Sequence, residues 1–92
     1  MNTYLREPAV SGIFYPKNPN ELKQDIESLF RDSNFGPGYL PPSSKNERIY
    51  GMVSPHAGYM YSGAVAAHGY YELSSSKFES ALIFGPNHYG LG

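Results

Sequence analysis

The amino-acid sequence predicts an α/β fold that contains a βαβ unit with two parallel strands. Residues 48–54, in which Ile49, Met52 and Val53 are apolar, predict a strand that ends before Pro55, and residues 80–84 contain an apolar run, Ala-Leu-Ile-Phe, that predicts a second strand. Between them, residues 62–73 have a helical pattern. A strand, a helix and a strand in this order predict parallel strands and a right-handed crossover. The continuous apolar run of the second strand is typical of a strand buried on both faces.

A separate helix is predicted upstream of this unit, over residues 19–32. Asn18 is a suitable N-cap, Pro19 suits the first helical position, and Glu21 completes a pattern like a capping box. One face of this helix is apolar, with the spacing of helical turns: Leu22, Ile26, Leu29 and Phe30. A long loop rich in Gly, Pro and Ser follows over residues 33–47. Three of its side chains are expected to attach it to the body: Phe35, Tyr39 and Leu40.

The helix of the βαβ unit is predicted to begin at Ser62 as N-cap and to end near Leu73. Its first turns contain small residues that would allow close packing on a sheet: Gly63, Ala64, Ala66 and Ala67. Two parallel strands and two helices leave both sheet edges open and bury little core. We therefore expect residues 1–92 to be the N-terminal part of a larger, three-layer α/β domain.

Composition excludes several classes of function for the residues present. The net charge is −1 with both signs scattered, so the basic stripe of a nucleic-acid-binding protein is absent from the sequence. The sequence has no Cys, which excludes disulfides and thiolate metal ligands within these 92 residues. It contains neither the apolar run of a signal peptide nor that of a membrane helix. We expect a cytoplasmic protein that does not bind membranes.

Two histidines follow the ends of the two predicted strands. His56 comes directly after Pro55, and His88 comes two residues after Pro86. Because the carboxyl ends of neighbouring parallel strands share one sheet edge, the two imidazoles could converge there. Such a pair suits a divalent transition metal or acid–base chemistry near neutral pH, although a single histidine in a turn is most often a surface residue. His68 lies inside the second helix and is interpreted as a packing or surface residue.

Three segments resemble the Memo family: REPAVSGIFYP at 6–16, PHAGYMYSG at 55–63 and ALIFGPNH at 81–88. The resemblance implies a cytosolic protein with a fold similar to that of the class III extradiol dioxygenases, which use non-haem iron. It implies that His56 and His88 are the first two metal ligands and that Phe14 and Tyr61 line the same pocket. It further implies a radical-SAM partner protein for prokaryotic members. The remaining ligands of the family come from later in a chain about three times as long.

Two functional hypotheses follow. The first is a metal-dependent oxidoreductase of the dioxygenase-like kind, which holds Fe²⁺ or Cu²⁺, with Zn²⁺ as a further candidate, on His56 and His88. Two histidines alone make an open site, so we expect the isolated 92-residue chain to be inactive. The second is a non-enzymatic module that binds a small molecule, a peptide or an anionic group in a pocket lined by Phe14, Tyr59 and Tyr61. A truncated product without function is the third alternative.

Overall fold

The computed structural model describes residues 5–41, 49–74, 76 and 78–88. Its regular elements are two α-helices, α1 (Pro19–Arg31) and α2 (Ala64–Leu73). A π-helical turn, Tyr59–Gly63, leads directly into α2. Both predicted helices are confirmed, with α1 ending one residue earlier than predicted.

The start of α1 is fixed by a side-chain cap. Oδ1 of Asn18 accepts hydrogen bonds from the backbone N–H groups of Asn20 (2.9 Å) and Glu21 (3.1 Å). These bonds satisfy two of the N–H groups that the first helical turn leaves without intrahelical partners. Pro19 occupies the next position, where the lack of an N–H costs nothing. The predicted N-terminal cap is confirmed.

The end of α1 is held by Asp32. Its Oδ1 accepts hydrogen bonds from the backbone N–H groups of Asn34 (2.8 Å) and Phe35 (3.0 Å). These bonds, above all the one from Phe35, lower the pKa of the Asp32 carboxyl. Gly36 comes next, where a Cβ would overlap the carbonyl oxygen of Leu29. The backbone N–H of Gly38 then donates to the carbonyl of Phe30 (2.8 Å), which completes the turn.

The described part of the long loop, residues 33–41, is attached to α2 at two points. Nε2 of His68 donates to the carbonyl oxygen of Phe35 at 2.8 Å, since a carbonyl can only accept. The rings of Tyr39 and Tyr71 meet edge-to-face, with centroids 5.6 Å apart. The contact of Phe35 with α2 is made by its backbone carbonyl, and its side chain is mostly exposed. Residues 42–47 of the predicted loop lie outside the described residues.

Gly63, which directly precedes α2, packs closely on α1. A Cβ at Gly63 would lie 2.6 Å from Cδ1 of Leu29, so the absence of a side chain allows the close approach. Ala67, one turn later, is 4 % exposed and is the one buried apolar side chain among the described residues. The prediction that Ser62 caps α2 is wrong. Ser62 lies within the π turn, and its Oγ donates to the carbonyl of Ala57 (3.1 Å).

An N-terminal turn, residues 10–16, packs on this helical pair. Gly12 has φ of +84°, a conformation that glycine adopts without strain, and its N–H donates to the carbonyl of Tyr15 (2.8 Å). The carbonyl of Phe14 accepts a hydrogen bond from the N–H of Tyr59 (2.8 Å). This bond joins the N-terminal turn to the first residue of the π turn, so Phe14 and Tyr59 face one region of the surface.

The two predicted strands do not pair in the part of the chain that the structure describes. Residues 49–54 and 78–88 form no β-ladder with described residues, and Arg48, the first residue of the predicted strand, lies outside them. The one β-bridge described is local, between Ser11 and Tyr15. The parallel βαβ unit therefore stays a prediction. Neither described helix has the length and apolar character needed to cross a membrane.

Candidate metal centre

The imidazole rings of His56 and His88 lie next to each other at the surface of the molecule. Their Nε2 atoms are 3.3 Å apart. The ring centroids are 5.4 Å apart and the ring planes are tilted by 35°. Because the centroids are further apart than the Nε2 atoms, the two nitrogens point into the space between the rings. Both side chains are exposed, so a ligand can reach this space from solvent.

Local structure on both sides of His56 restricts the path of its backbone. Pro55 restricts the backbone before it, and Oγ of Ser54 donates to the Pro55 carbonyl (3.2 Å). After it, the carbonyl of Gly58 accepts from the N–H groups of Tyr61 (2.9 Å) and Ser62 (3.0 Å), which starts the π turn. His56 therefore lies in a short connection between a proline and a hydrogen-bonded turn.

The separation of the two nitrogens is that expected for two ligands of one metal ion. Two nitrogens that each lie about 2.0–2.1 Å from a tetrahedral ion are about 3.3–3.4 Å apart. The observed 3.3 Å falls in this range. Without an ion, the same separation allows a long hydrogen bond in which one neutral ring donates and the other accepts. The residues present therefore fit two positions of a metal coordination sphere.

The remaining positions of such a coordination sphere have no protein ligand among the described residues. Among the described residues, no group of three or more His, Cys, Asp and Glu side chains is placed to hold one ion. The third histidine, His68, lies within α2 and is bonded to the carbonyl oxygen of Phe35. A metal held by His56 and His88 would keep positions free for water or a substrate.

Two clefts lie beside the N-terminal turn, and aromatic side chains line both. The larger, of about 750 Å³, contains all three residues that the sequence predicts for a pocket: Phe14, Tyr59 and Tyr61. The smaller, of about 590 Å³, contains Phe14, Tyr59 and also His56. The structure thus brings Phe14 and Tyr59 together with His56, whereas Tyr61 opens only onto the larger cleft.

Tyr59 is the residue common to both clefts whose titration is altered. Its ring packs against Tyr15, with centroids 5.5 Å apart. Burial raises the pKa of the Tyr59 phenol, and the nearby Tyr15, Tyr70 and Asp25 raise it further. The Tyr59 hydroxyl is neutral near pH 7, as an ordinary tyrosine also is, and can donate a hydrogen bond.

Sequence reasoning missed several residues of these clefts. Tyr15 was not predicted as a cleft residue, although its place in the aromatic run Phe14-Tyr15 was a usable signal. Leu29 was predicted only as one residue of the apolar face of α1, yet it lines both clefts. The larger cleft also contains three carboxylates from α1 and its C-terminal end that the sequence analysis did not assign to a pocket: Glu21, Asp25 and Asp32.

Comparison with protein families decides the relationship of this chain to others. Residues 6–92 match the family described as "Memo-like protein". The chain belongs to the Memo-like family. The three motifs named above, including both histidines, lie within the matched residues.

Curated relatives agree with this family membership. Proteins named "MEMO1 family protein" are 50% identical over 91 residues in Thermotoga neapolitana and 48% identical over 88 residues in Nitrosopumilus maritimus. Each alignment covers 96% of this chain, but only 33% and 31% of the relative. The chain therefore spans about a third of the length of the Memo-like relatives it matches. No solved structure matches the chain.

Proposed function

We propose that this Memo-like protein binds a divalent transition metal through Nε2 of His56 and Nε2 of His88. The observation that supports this most directly is their 3.3 Å separation between residues 32 positions apart in the sequence. Imidazole is a good ligand for Fe²⁺, Cu²⁺ and Zn²⁺, and these are the ions we propose. The reaction class we propose for the whole Memo-like domain is that of a metal-dependent oxidoreductase.

Within this proposal, each part of the chain has a separate task. The bound metal would supply Lewis-acid or redox chemistry at a position open to solvent. His56 and His88 bind it, and Pro55 and the π turn restrict the backbone before and after His56. Phe14 and Tyr59 line the smaller cleft together with His56, and an apolar part of a substrate could pack there. The neutral Tyr59 hydroxyl could donate a hydrogen bond to that substrate.

A metal titration tests this proposal on the chain without a polyhistidine tag. Calorimetric titration with Cu²⁺, Zn²⁺ and, without oxygen, Fe²⁺ would measure the affinity of wild type and of the variants His56→Ala and His88→Ala. We expect each variant to bind at least about tenfold more weakly, because a single imidazole remains. His68→Ala is the matched control, since His68 bonds to the Phe35 carbonyl and forms no group of three ligands with the pair among the described residues. Unchanged affinity in both His56→Ala and His88→Ala would contradict the proposal.

The second candidate, a metal-independent binding module, is favoured by the larger cleft. That cleft has room for a peptide side chain and exposes the ring of Tyr61. Its described charged residues are all carboxylates: Glu21, Asp25 and Asp32. An anionic group would therefore be repelled, and we infer that a peptide bound there carries Lys or Arg.

Labelled peptides distinguish the two candidates. We would compare an Arg-rich and a Glu-rich peptide by fluorescence anisotropy, in the presence and absence of EDTA. The binding module predicts that the Arg-rich peptide binds in both conditions and that Tyr61→Ala weakens it, whereas His88→Ala does not. Absence of binding, or equal binding of both peptides, would argue against the module.

A further inference from the structure

The hydroxyl of Ser62 is bonded to the residue that follows His56 in the chain. Its Oγ donates to the carbonyl oxygen of Ala57 at 3.1 Å. The backbone hydrogen bonds that start the π turn reach back to the carbonyl of Gly58, which accepts from the N–H groups of Tyr61 and Ser62. The side chain of Ser62 therefore extends the hydrogen-bonded turn by one residue, towards His56.

This bond limits where the backbone of His56 can lie. Peptide groups are planar, so the two backbone dihedral angles of Ala57 alone separate the Cα atom of His56 from the peptide group that Ser62 holds. On the other side, Pro55 fixes its own φ, and Oγ of Ser54 donates to the Pro55 carbonyl (3.2 Å). His56 is thus joined directly to one restrained peptide group and, through Ala57, to another.

Ser62 itself lies on a closely packed part of the molecule. The next residue, Gly63, is buried, and a Cβ there would lie 2.6 Å from Cδ1 of Leu29 in α1. The first residue of the π turn, Tyr59, donates its N–H to the carbonyl of Phe14 (2.8 Å). These contacts join the π turn to α1 and to the N-terminal turn, so the serine hydroxyl donates from a fixed base.

We propose that Ser62 is a positioning residue, whose hydrogen bond to Ala57 aligns the ring of His56 with the ring of His88. The two Nε2 atoms are 3.3 Å apart, and the ligands of one metal ion keep their distances within about 0.2 Å. Without the hydroxyl, the Ala57 peptide can turn and His56 moves with it. This role rests on the proposed function, because metal binding is the use proposed for the pair, but the alignment of the two rings is also a property of the metal-free protein.

Ring contacts in the metal-free protein test the proposal by NMR with isotope-labelled histidine. The ring protons that flank the two Nε2 atoms should give a nuclear Overhauser cross-peak between His56 and His88. We expect this cross-peak to be at least about twofold weaker in Ser62→Ala and to be restored in Ser62→Thr, which keeps a hydroxyl donor. Ser28→Ala is the matched control, because Ser28 also donates from Oγ to a backbone carbonyl, that of Asp25 (2.7 Å), but belongs to α1.

The affinity for Zn²⁺ gives a second measurement. Calorimetric titration should show about three- to tenfold weaker binding in Ser62→Ala, which is less than the roughly 10–100-fold typical for a group bonded directly to a ligand, because Ser62 acts through the backbone. Ser62→Thr should recover the wild-type affinity. Circular dichroism of Ser62→Ala and Ser28→Ala should show equal helix content and similar thermal midpoints, which separates a change in alignment from a general loss of stability.

The outcomes distinguish the role of Ser62 from the metal site itself. A cross-peak in Ser62→Ala as strong as in wild type would overturn the proposal, as would an equal loss in Ser62→Thr or in Ser28→Ala. A wild-type protein without the cross-peak would also overturn it, since the two rings would not be adjacent. So would a wild-type protein that binds Zn²⁺ no more tightly than Ser62→Ala does. If the cross-peaks change as expected but wild type binds no metal, the positioning role stands and the proposed metal function fails.

Discussion

The Nε2 atoms of His56 and His88 lie 3.3 Å apart, although the two residues are 32 positions apart in the sequence. Neither residue belongs to a helix, and α2 lies between them in the chain. The tertiary arrangement of two connections, and not a local motif, therefore forms the pair. If one ion occupies the space between the nitrogens, the two residues must act together.

A double-mutant cycle measures this joint action. Loss of either imidazole removes the chelate, so the second loss has little left to remove. We expect the variant with both His56→Ala and His88→Ala to bind Cu²⁺ only about as weakly as each single variant, with a coupling energy of about 1–3 kcal/mol. Calorimetric affinities of the four proteins check this. Additive losses would mean that the two histidines bind separate ions.

The N-terminal cap of α1 leads to a second prediction. Replacing Asn18 by Ala removes the Oδ1 atom that accepts from Asn20 and Glu21, and it should destabilise the helix by about 0.5–2 kcal/mol. The helical signal in circular dichroism and its thermal loss would show this. Asn20→Ala is the matched control, because Asn20 takes part in the cap through its backbone N–H alone. An equal loss in both variants would contradict the capping role of the Asn18 side chain, because alanine itself favours the helix.

The turn after α1 predicts that replacing Gly36 by alanine lowers the stability of the protein much more than replacing Gly51. A Cβ at Gly36 would overlap the backbone carbonyl of Leu29, whereas a Cβ at Gly51 would meet nothing within 4 Å. Gly36→Ala should therefore cost about 1–3 kcal/mol and move the loop, but Gly51→Ala should not. The NMR signals of His68 report the movement, because its ring is bonded to the Phe35 carbonyl in that loop. Unchanged His68 signals in Gly36→Ala would contradict the packing described.

The raised pKa of Tyr59 predicts a late step in an alkaline titration. Burial of the phenol disfavours its anion, so Tyr59 should ionise above the usual pKa of about 10. The ultraviolet absorbance of phenolate would show a late phase that is lost in Tyr59→Phe and retained in Tyr61→Phe. Because the pKa is higher in the folded than in the unfolded chain, the free energy of unfolding should fall as pH rises from about 10 towards the raised value. A titration without a late phase would show that the Tyr59 ring is open to solvent.

The helices illustrate what local sequence could predict. Asn18, Pro19 and Glu21 determine where α1 begins, because capping depends on groups within three residues of one another. The same locality predicts that α2 ends at Leu73. The start of α2 was predicted less well: Ser62 lies within the π turn, whose first residue, Tyr59, is hydrogen-bonded to Phe14 in a distant part of the chain.

The sequence by itself determined the two helices, the family motifs and the identity of the candidate ligands, because each depends on residues close together in the chain. Only the tertiary structure decided that Gly63 packs on Leu29 and that Phe14 and Tyr59 lie beside His56. It alone set the distance between His56 and His88. Unlike the helices, the predicted strands are not confirmed, and the reason is physical. A helix satisfies its own backbone hydrogen bonds, whereas a strand needs a neighbour, and residues 81–86 have none among the residues described.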